Sequence, residues 1–283
     1  MYESEIERIR EISDPLERSK AASVAQATVK AVELEFSRIR REALEELINS
    51  GVKQVDIARE LNITTARMSQ LVKSGPAPER AFFGATTTPV NVAVAEKREN
   101  KPVNPGPVVS SFDIRAYDKL RCLVEDLGLK STFEEVKPPG DVRLNRDGLV
   151  LICGPRHSPL ITQVLESDDK LAFGKDDAGW HLVDHETGTT YRSPEDNEVR
   201  GDGDVAYFGR LPRPDGKGYF LYIAGIHAAG AAGVIHYLSS ELATLYREVR
   251  MRRFSMLISC QYDPETKEIV SSERITPIYK HEA

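Results

Sequence analysis

From Ser4 to about Ser50 apolar residues recur at helical intervals, Ile6, Ile9 and Ile12 and then Val24, Val29, Val32 and Phe36, in a background of Glu, Arg, Ala and Leu. That spacing predicts two helices, each with one apolar face. The break falls at Pro15, with Asp14 as cap and Pro15 in the first helical position. The second helix is longer than support for a small motif requires, so a dimer seam is expected on it. The stretch "VDIARELNITTARMSQLV" then has the rhythm of two short helices about a corner. Val55, Ala58 and Leu61 are expected to face inward from the first helix, and Met68, Leu71 and Val72 from the second. Asn62 suits a left-handed backbone at the corner, and Thr64 suits the N-cap of the helix that follows.

After Val72 the pattern changes, because Pro and Gly interrupt every possible helix through "ATTTPVNVAVAEKRENKPVNPGPVVS". A linker is expected there, with "VNVAVA" as a first strand inside it. Next, Ala116, Leu120, Leu123 and Leu127 form a helical stripe ending at Gly128, and "STFEEV" reads as a strand, completing a β-α-β unit. "DGLVLICGP" is apolar without alternation, as in a strand buried on both faces, and "SPLITQVLES" reads as a short helix. "LAFGKDDAGWHLVD" and "TGTTYRSP" suggest an antiparallel meander, and "DVAYFGRLPRP" a strand. "GYFLYIAGIHAAGAAGVIHYLSSELATLYREV" reads as strand, glycine loop and helix, and "RFSMLISCQYDPETKEIVSSERITPIY" as two strands about a turn. The expected architecture is α/β, with an N-terminal all-α domain over residues 1–80, a Pro-rich linker and first strand over 81–111, and a C-terminal Rossmann-like domain over 112–283.

A formal net charge of -6 and 29% charged residues exclude a protein that coats nucleic acid by bulk electrostatics, so any DNA contact must be local. Cys122, Cys153 and Cys260 are far apart, two of them in apolar runs, a pattern that fits a reducing cytoplasm. No apolar stretch is long enough to span a bilayer. Cytoplasmic localisation without membrane association is therefore expected.

The segment "SRIRREALEELINSGVKQVDIARELNITTARMSQLV" resembles the helix-turn-helix of bacterial transcription regulators, especially the sigma-factor region 4 type. The likeness rests on Ala58, Asn62, Ile63, Met68 and Leu71, with Asn62 where that family usually has Gly. It implies a DNA-contacting set of Arg41, Arg59, Thr64, Thr65, Ala66, Arg67, Ser69, Gln70 and Lys73. Thr65, Ala66, Ser69 and Gln70 would lie nearest base edges in the major groove, and the four cations would hold phosphates. A homodimer would read a palindrome. A helical hairpin used only for protein contacts is the alternative.

In the C-terminal domain, two strand-to-helix turns have the chemistry of an anion site: "LICGPRHSP", with Gly154, Arg156, His157 and Ser158, and "IAGIHAAGAAG", with Gly225, His227, Gly230 and Gly233. If their strands are parallel neighbours, the turns meet at the carboxyl edge of the sheet. The domain is broadly similar to Rossmann-like nucleotide-sensing modules, which implies a small anionic or nucleotide-like ligand. Neither turn is a strict dinucleotide or phosphate-loop motif, so the glycines could serve the turns alone. His181 and His185, four apart on a strand, do not make a metal pair, and His236 reads as structural. Asp204 and Arg210 could line a pocket or form a surface ion pair. No cofactor, metal site or catalytic motif is evident. The expected protein is a DNA-binding regulator with a ligand-sensing domain. The alternatives are a nucleotide-processing enzyme or effector with its helix-turn-helix used for autoregulation or assembly, and an interaction module in which Ile226 fills the space between the turns.

Overall fold

A computed structural model describes residues 2–74, 76–85, 88–197 and 201–282. The chain divides into two compact units, Met1–Pro78 and Glu79–Ala283.

The first unit is helical. Helix α1 (Tyr2–Arg10) is followed by α2 (Pro15–Asn49), α3 (Gln54–Glu60) and α4 (Thr65–Ser74). The Asp14 carboxylate starts α2 by accepting from the N–H of Leu16 at 2.7 Å, and Pro15 supplies a first residue that needs no hydrogen bond. Asn62 takes φ +52° at the corner between α3 and α4, and Thr64 Oγ1 accepts from Arg67 N at 3.1 Å as the cap of α4. Leu44, Ile57, Ala58 and Met68 form the core, with Ile48, Ile63, Leu71 and Val72 packed around it. This corrects the expected inward set, since Val55 and Leu61 are exposed and Ile57 takes their place. Only two turns of α3 exist, and its inward face is set by the adjacent pair Ile57 and Ala58. Leu61 is already the C-cap, where the backbone leaves the helix.

Along α2, Ala22, Ala25, Val29, Val32, Phe36 and Ile39 follow one another at alternating intervals of three and four residues. Val29, Phe36 and Ile39 are 46%, 68% and 47% exposed, so the later part of this stripe is unspent within the chain, while Ala22, Ala25 and Val29 line a groove with Ile6 and Ile9 of α1.

The second unit is mixed α/β. Its elements are β1 (Val90–Ala95), β2 (Lys97–Arg98), β3 (Pro107–Val108), α5 (Ser111–Asp126), β4 (Ser131–Val136), β5 (Leu149–Ile152), α6 (Pro159–Leu165), β6 (Leu171–Asp176), β7 (Gly179–Asp184), β8 (Thr189–Tyr191), β9 (Gly203–Pro212), β10 (Tyr219–Gly225), α7 (Ala228–Val249), β11 (Phe254–Tyr262), β12 (Ile269–Arg274) and β13 (Tyr279–Lys280). The main sheet runs β12-β11-β9-β10-β5-β1-β4, with β13 on β11. Strands β10, β5, β1 and β4 are parallel, while β9 joins β10 antiparallel and β11 joins β9 antiparallel. Strands β6, β7 and β8 form the expected meander as a separate sheet.

Alternate residues of the central strands feed two cores, as a sheet covered on both faces requires. Val92, Val94, Val150, Ile152 and Ile223 pack with α5 and α7. Ala93, Ala95, Leu149, Leu151 and Tyr222 pack with Ile161 and Leu165 of α6 and with Leu171 and Leu182 of the meander.

The expected linker is partly core. Phe82, Phe83 and Ala85 are buried, and Phe82 packs on Phe208 and Phe254. The Arg210 guanidinium lies over the Phe82 and Phe254 rings and donates to the carbonyls of Phe82, Arg250 and Arg252. Arg210 therefore forms neither a pocket wall nor a surface ion pair with Asp204. Burial lowers its pKa to about 10, and its donors are met by the three carbonyls. Two aromatic residues explain why proline content alone misplaces the boundary. Among the described residues no helix is long and apolar enough to cross a membrane.

Candidate functional site

Strand β1 leads through α5 to β4 on one side, whereas β5 returns to its other side. The connections thus diverge between the carboxyl ends of β1 and β5, the place where open α/β sheets form a crevice. A narrow cleft of about 340 Å3, counting its open mouth, lies there. Ala95 and Lys97 line it at and after the end of β1, Cys153, Gly154, Arg156 and His157 after β5, and Ala224, Gly225, His227 and Ala228 at and after the end of β10. Since β5 and β10 are parallel neighbours, the two predicted turns do meet. Asp113, from the first turn of α5, completes the wall.

Not every predicted ligand residue is placed to touch a ligand. Ser158 is buried, and its hydroxyl donates to Gly140 O at 2.8 Å, because the segment after Gly154 is a short 3-10 turn that swings Ser158 inward. Gly230 lies against Gly225 and the Asp204 carboxylate instead of lining the cleft. Asp204 is the buried cap of α7, accepting from Val205 N at 2.8 Å, His227 N at 2.9 Å and Gly230 N at 2.8 Å. Burial pushes its pKa upward against those N–H groups and the nearby His227. The glycines of this turn therefore serve close packing, and Asp204 takes the anion position that the helix start offers. Ile226 is buried in the core on the sheet face of α6, so it does not fill the cleft.

The remaining groups form an electrostatic cluster. Lys97 and Arg156 have no ion-pair partner among the described residues; Arg156 Nε donates to His157 Nε2 at 3.2 Å. Burial, Arg156 and Lys97 drive the His157 pKa down to about 4, so at neutral pH the ring is an uncharged acceptor. Burial raises Asp113 to about 6, with Lys97 and Arg156 pulling the other way. The Cys153 thiol is pushed up to about 12 by burial and Asp113, which leaves it a poor nucleophile. At the rim, His227 Nε2 is 2.8 Å from Asp196 Oδ1.

Sequence reasoning missed Lys97 and Asp113. Asp113 closes the pattern "SSFD", which reads as an ordinary capping box. Ser110 does cap α5 through its hydroxyl and Phe112 N, but the Asp113 carboxylate does not reach back to close the box.

On α4, Thr65, Ala66, Ser69, Gln70 and Lys73 share an arc of about 140° opposite Met68 and Leu71. Arg67 flanks it and donates to Gln70 Oε1 at 2.6 Å. Thr64 is spent partly on its cap, Arg41 pairs with Glu45 at 2.7 Å, and Arg59 pairs with Asp56 at 3.2 Å.

At the amino end of β11, Ser255 Oγ is 2.9 Å from His281 Nε2, which is 3.5 Å from Asp168 Oδ1. The grouping imitates a hydrolase triad. Ser255 has no exposed surface, however, and Asp168 already accepts from Lys170 N, Leu171 N and the Tyr207 hydroxyl, so this is a structural network. Comparison with known proteins found no matching family model, curated protein or solved structure.

Proposed function

We propose that the protein is a sequence-specific DNA-binding transcription regulator whose C-terminal domain, a Rossmann-like sensor, takes a small anionic or nucleotide-like ligand. The observation that carries the DNA reading is α4. It presents small and amide side chains on one outward arc and bears Arg67 and Lys73 without a carboxylate, in a chain that is acidic overall. The preceding α3, the left-handed Asn62 and the Thr64 cap supply the corner of a helix-turn-helix. Such a helix reads base edges with the arc and holds phosphates with the flanking cations.

Binding-site selection followed by variant titration tests this. Gln70→Ala is expected to lose about 1–3 kcal/mol of discrimination at one base pair, while Arg67→Ala weakens all sequences alike and lowers the salt slope by about 1. Identical profiles for the two variants would rule out this groove orientation.

The α2 stripe supports a homodimer. Its alternating three and four spacing matches a two-helix seam, and a second copy of α2 is the occupant that a palindrome-reading protein requires. Phe36→Glu is expected to convert the dimer to monomer in sedimentation velocity and to reduce palindrome affinity at least tenfold. An unchanged sedimentation coefficient would place the dimer contact elsewhere.

For the sensor, the carrying observation is the convergence of Lys97 and Arg156, without ion-pair partners among the described residues, on the crevice between β1 and β5. A ligand there alters DNA affinity to the extent that it prefers one dimer geometry over another. A second reading, turnover of a nucleotide, is favoured by the His227–Asp196 pair at the rim, whose members lie at the hydrogen-bond distance of a base and its partner. Product formation that disappears in His227→Gln would select it.

A further inference from the structure

The sensor reading asks only for an anion, but the cleft contains a group that an anion cannot satisfy. Asp113 is 5% exposed and lines the cleft, and among the described residues no hydrogen bond or ion pair reaches its carboxylate. Its oxygens are not among the polar atoms sealed from solvent, so water of the cleft reaches them and a ligand that displaces this water must supply donors of its own, whereas structural carboxylates such as Asp204 and Asp168 are met by donors of the protein. Helix capping does not account for it, because the carboxylate leaves the capping box open while Ser110 does the capping. Its acceptor capacity is directed at the same space as the ammonium of Lys97 and the guanidinium of Arg156, which act on it electrostatically without closing to ion-pair distance.

Resting on the sensor reading, we infer that the ligand is a sugar phosphate, whose phosphate lies on Lys97 and Arg156 and whose hydroxyls donate to Asp113. Three features select this class. Two cations against one carboxylate leave the cluster positive, so the complementary ligand has more negative than positive charge, as a phosphate monoester has. A ligand ammonium would satisfy Asp113 but bring a third cation beside Lys97 and Arg156, whereas a hydroxyl donates without charge. Finally, Ala95, Ala224, Ala228 and Ala231 keep the walls close, and the rings among the lining residues are the imidazoles of His157 and His227, with no Phe, Tyr or Trp, so the cleft suits a compact polyol better than a base. A nucleotide would enter with its ribose phosphate, leaving the base outside.

Calorimetric titration of the full chain with ribose 5-phosphate, inorganic phosphate, ribose and glutamate tests the assignment. The expected result is that ribose 5-phosphate binds at least tenfold more tightly than phosphate. Asp113→Ala should erase that advantage while leaving phosphate affinity within twofold, and Arg156→Ala should weaken both phosphorylated probes. Asp113→Asn, which keeps the shape and removes the buried charge, should show an intermediate loss of affinity together with a higher melting temperature. Equal affinity of wild type for ribose 5-phosphate and phosphate, or full retention of the preference in both Asp113 variants, would overturn the sugar assignment while leaving an anion site. Glutamate binding in preference to ribose 5-phosphate would overturn it in favour of a zwitterion. Binding of no probe would overturn the anion site as well.

Discussion

Gly230→Ala is expected to destabilise the second unit by about 3 kcal/mol, although alanine is the better helix former by about 1 kcal/mol. The added methyl would lie 2.7 Å from Gly225 Cα, 2.8 Å from Asp204 Oδ2 and 3.0 Å from Ala206 Cβ. All three neighbours belong to sheet strands, and the Asp204 carboxylate is also the group that holds the start of α7. Relief therefore requires α7 to lift from β9 and β10 or Asp204 to release its N–H donors, and either loss exceeds the propensity gain. The midpoint of urea unfolding measures this. Gly154→Ala is the control, since its methyl would meet nothing closer than 3.8 Å, and a change within about 0.5 kcal/mol is expected. Equal midpoints for the two variants would mean that α7 is not pinned by the Gly225–Gly230 approach.

Asp113→Asn is expected to have the opposite sign, raising stability at pH 7 by about 3 kcal/mol. Burial lifts the folded pKa from 3.8 to about 6. Well below pH 3.8 the carboxyl is protonated in both folded and unfolded chains and contributes no penalty. Between pH 4 and 6 the unfolded chain ionises first, so the wild type loses stability as pH rises, and above about pH 6 the loss is constant. Asparagine does not titrate. The two proteins should therefore converge as pH falls below 3.8 and separate towards pH 7, and subtracting one stability curve from the other removes the contribution of Asp204, which shifts in the same direction. Parallel curves across this range would show that Asp113 is not held in a desolvated position.

How far the sequence disclosed these features depended on whether the signal was local. Helix starts were legible, because Asp14-Pro15 and Thr64 act on backbone groups two or three residues away. The β-α-β unit, the meander and the meeting of the two glycine turns followed from periodicity and from the rule that such turns share the carboxyl edge. What escaped depended on distant partners. Phe82 is indistinguishable from a linker residue until β9 and β11 supply Phe208 and Phe254. Asp204 and Arg210 stand six apart on β9, yet they serve opposite ends of α7, one capping its start and the other gathering the carbonyls of Arg250 and Arg252 past its end, with that of Phe82. Position in a turn points Gly230 and Ser158 at a ligand, whereas their neighbours in space, Gly225 and Gly140, fix them as packing residues. Asp113 was hidden by a pattern with a commoner meaning.

The three thiols also differ in a way that is experimentally useful. Cys153 and Cys260 are buried, with pKa values raised to about 12, whereas Cys122 is exposed on α5. A maleimide dye applied briefly near neutral pH should therefore label the native chain at one position without prior mutagenesis. That position lies nine residues beyond Asp113 on the same helix, about 14 Å along its axis, so the fluorophore would share a rigid rod with a wall of the cleft. The unmodified sequence thus provides its own reporter for ligand screening.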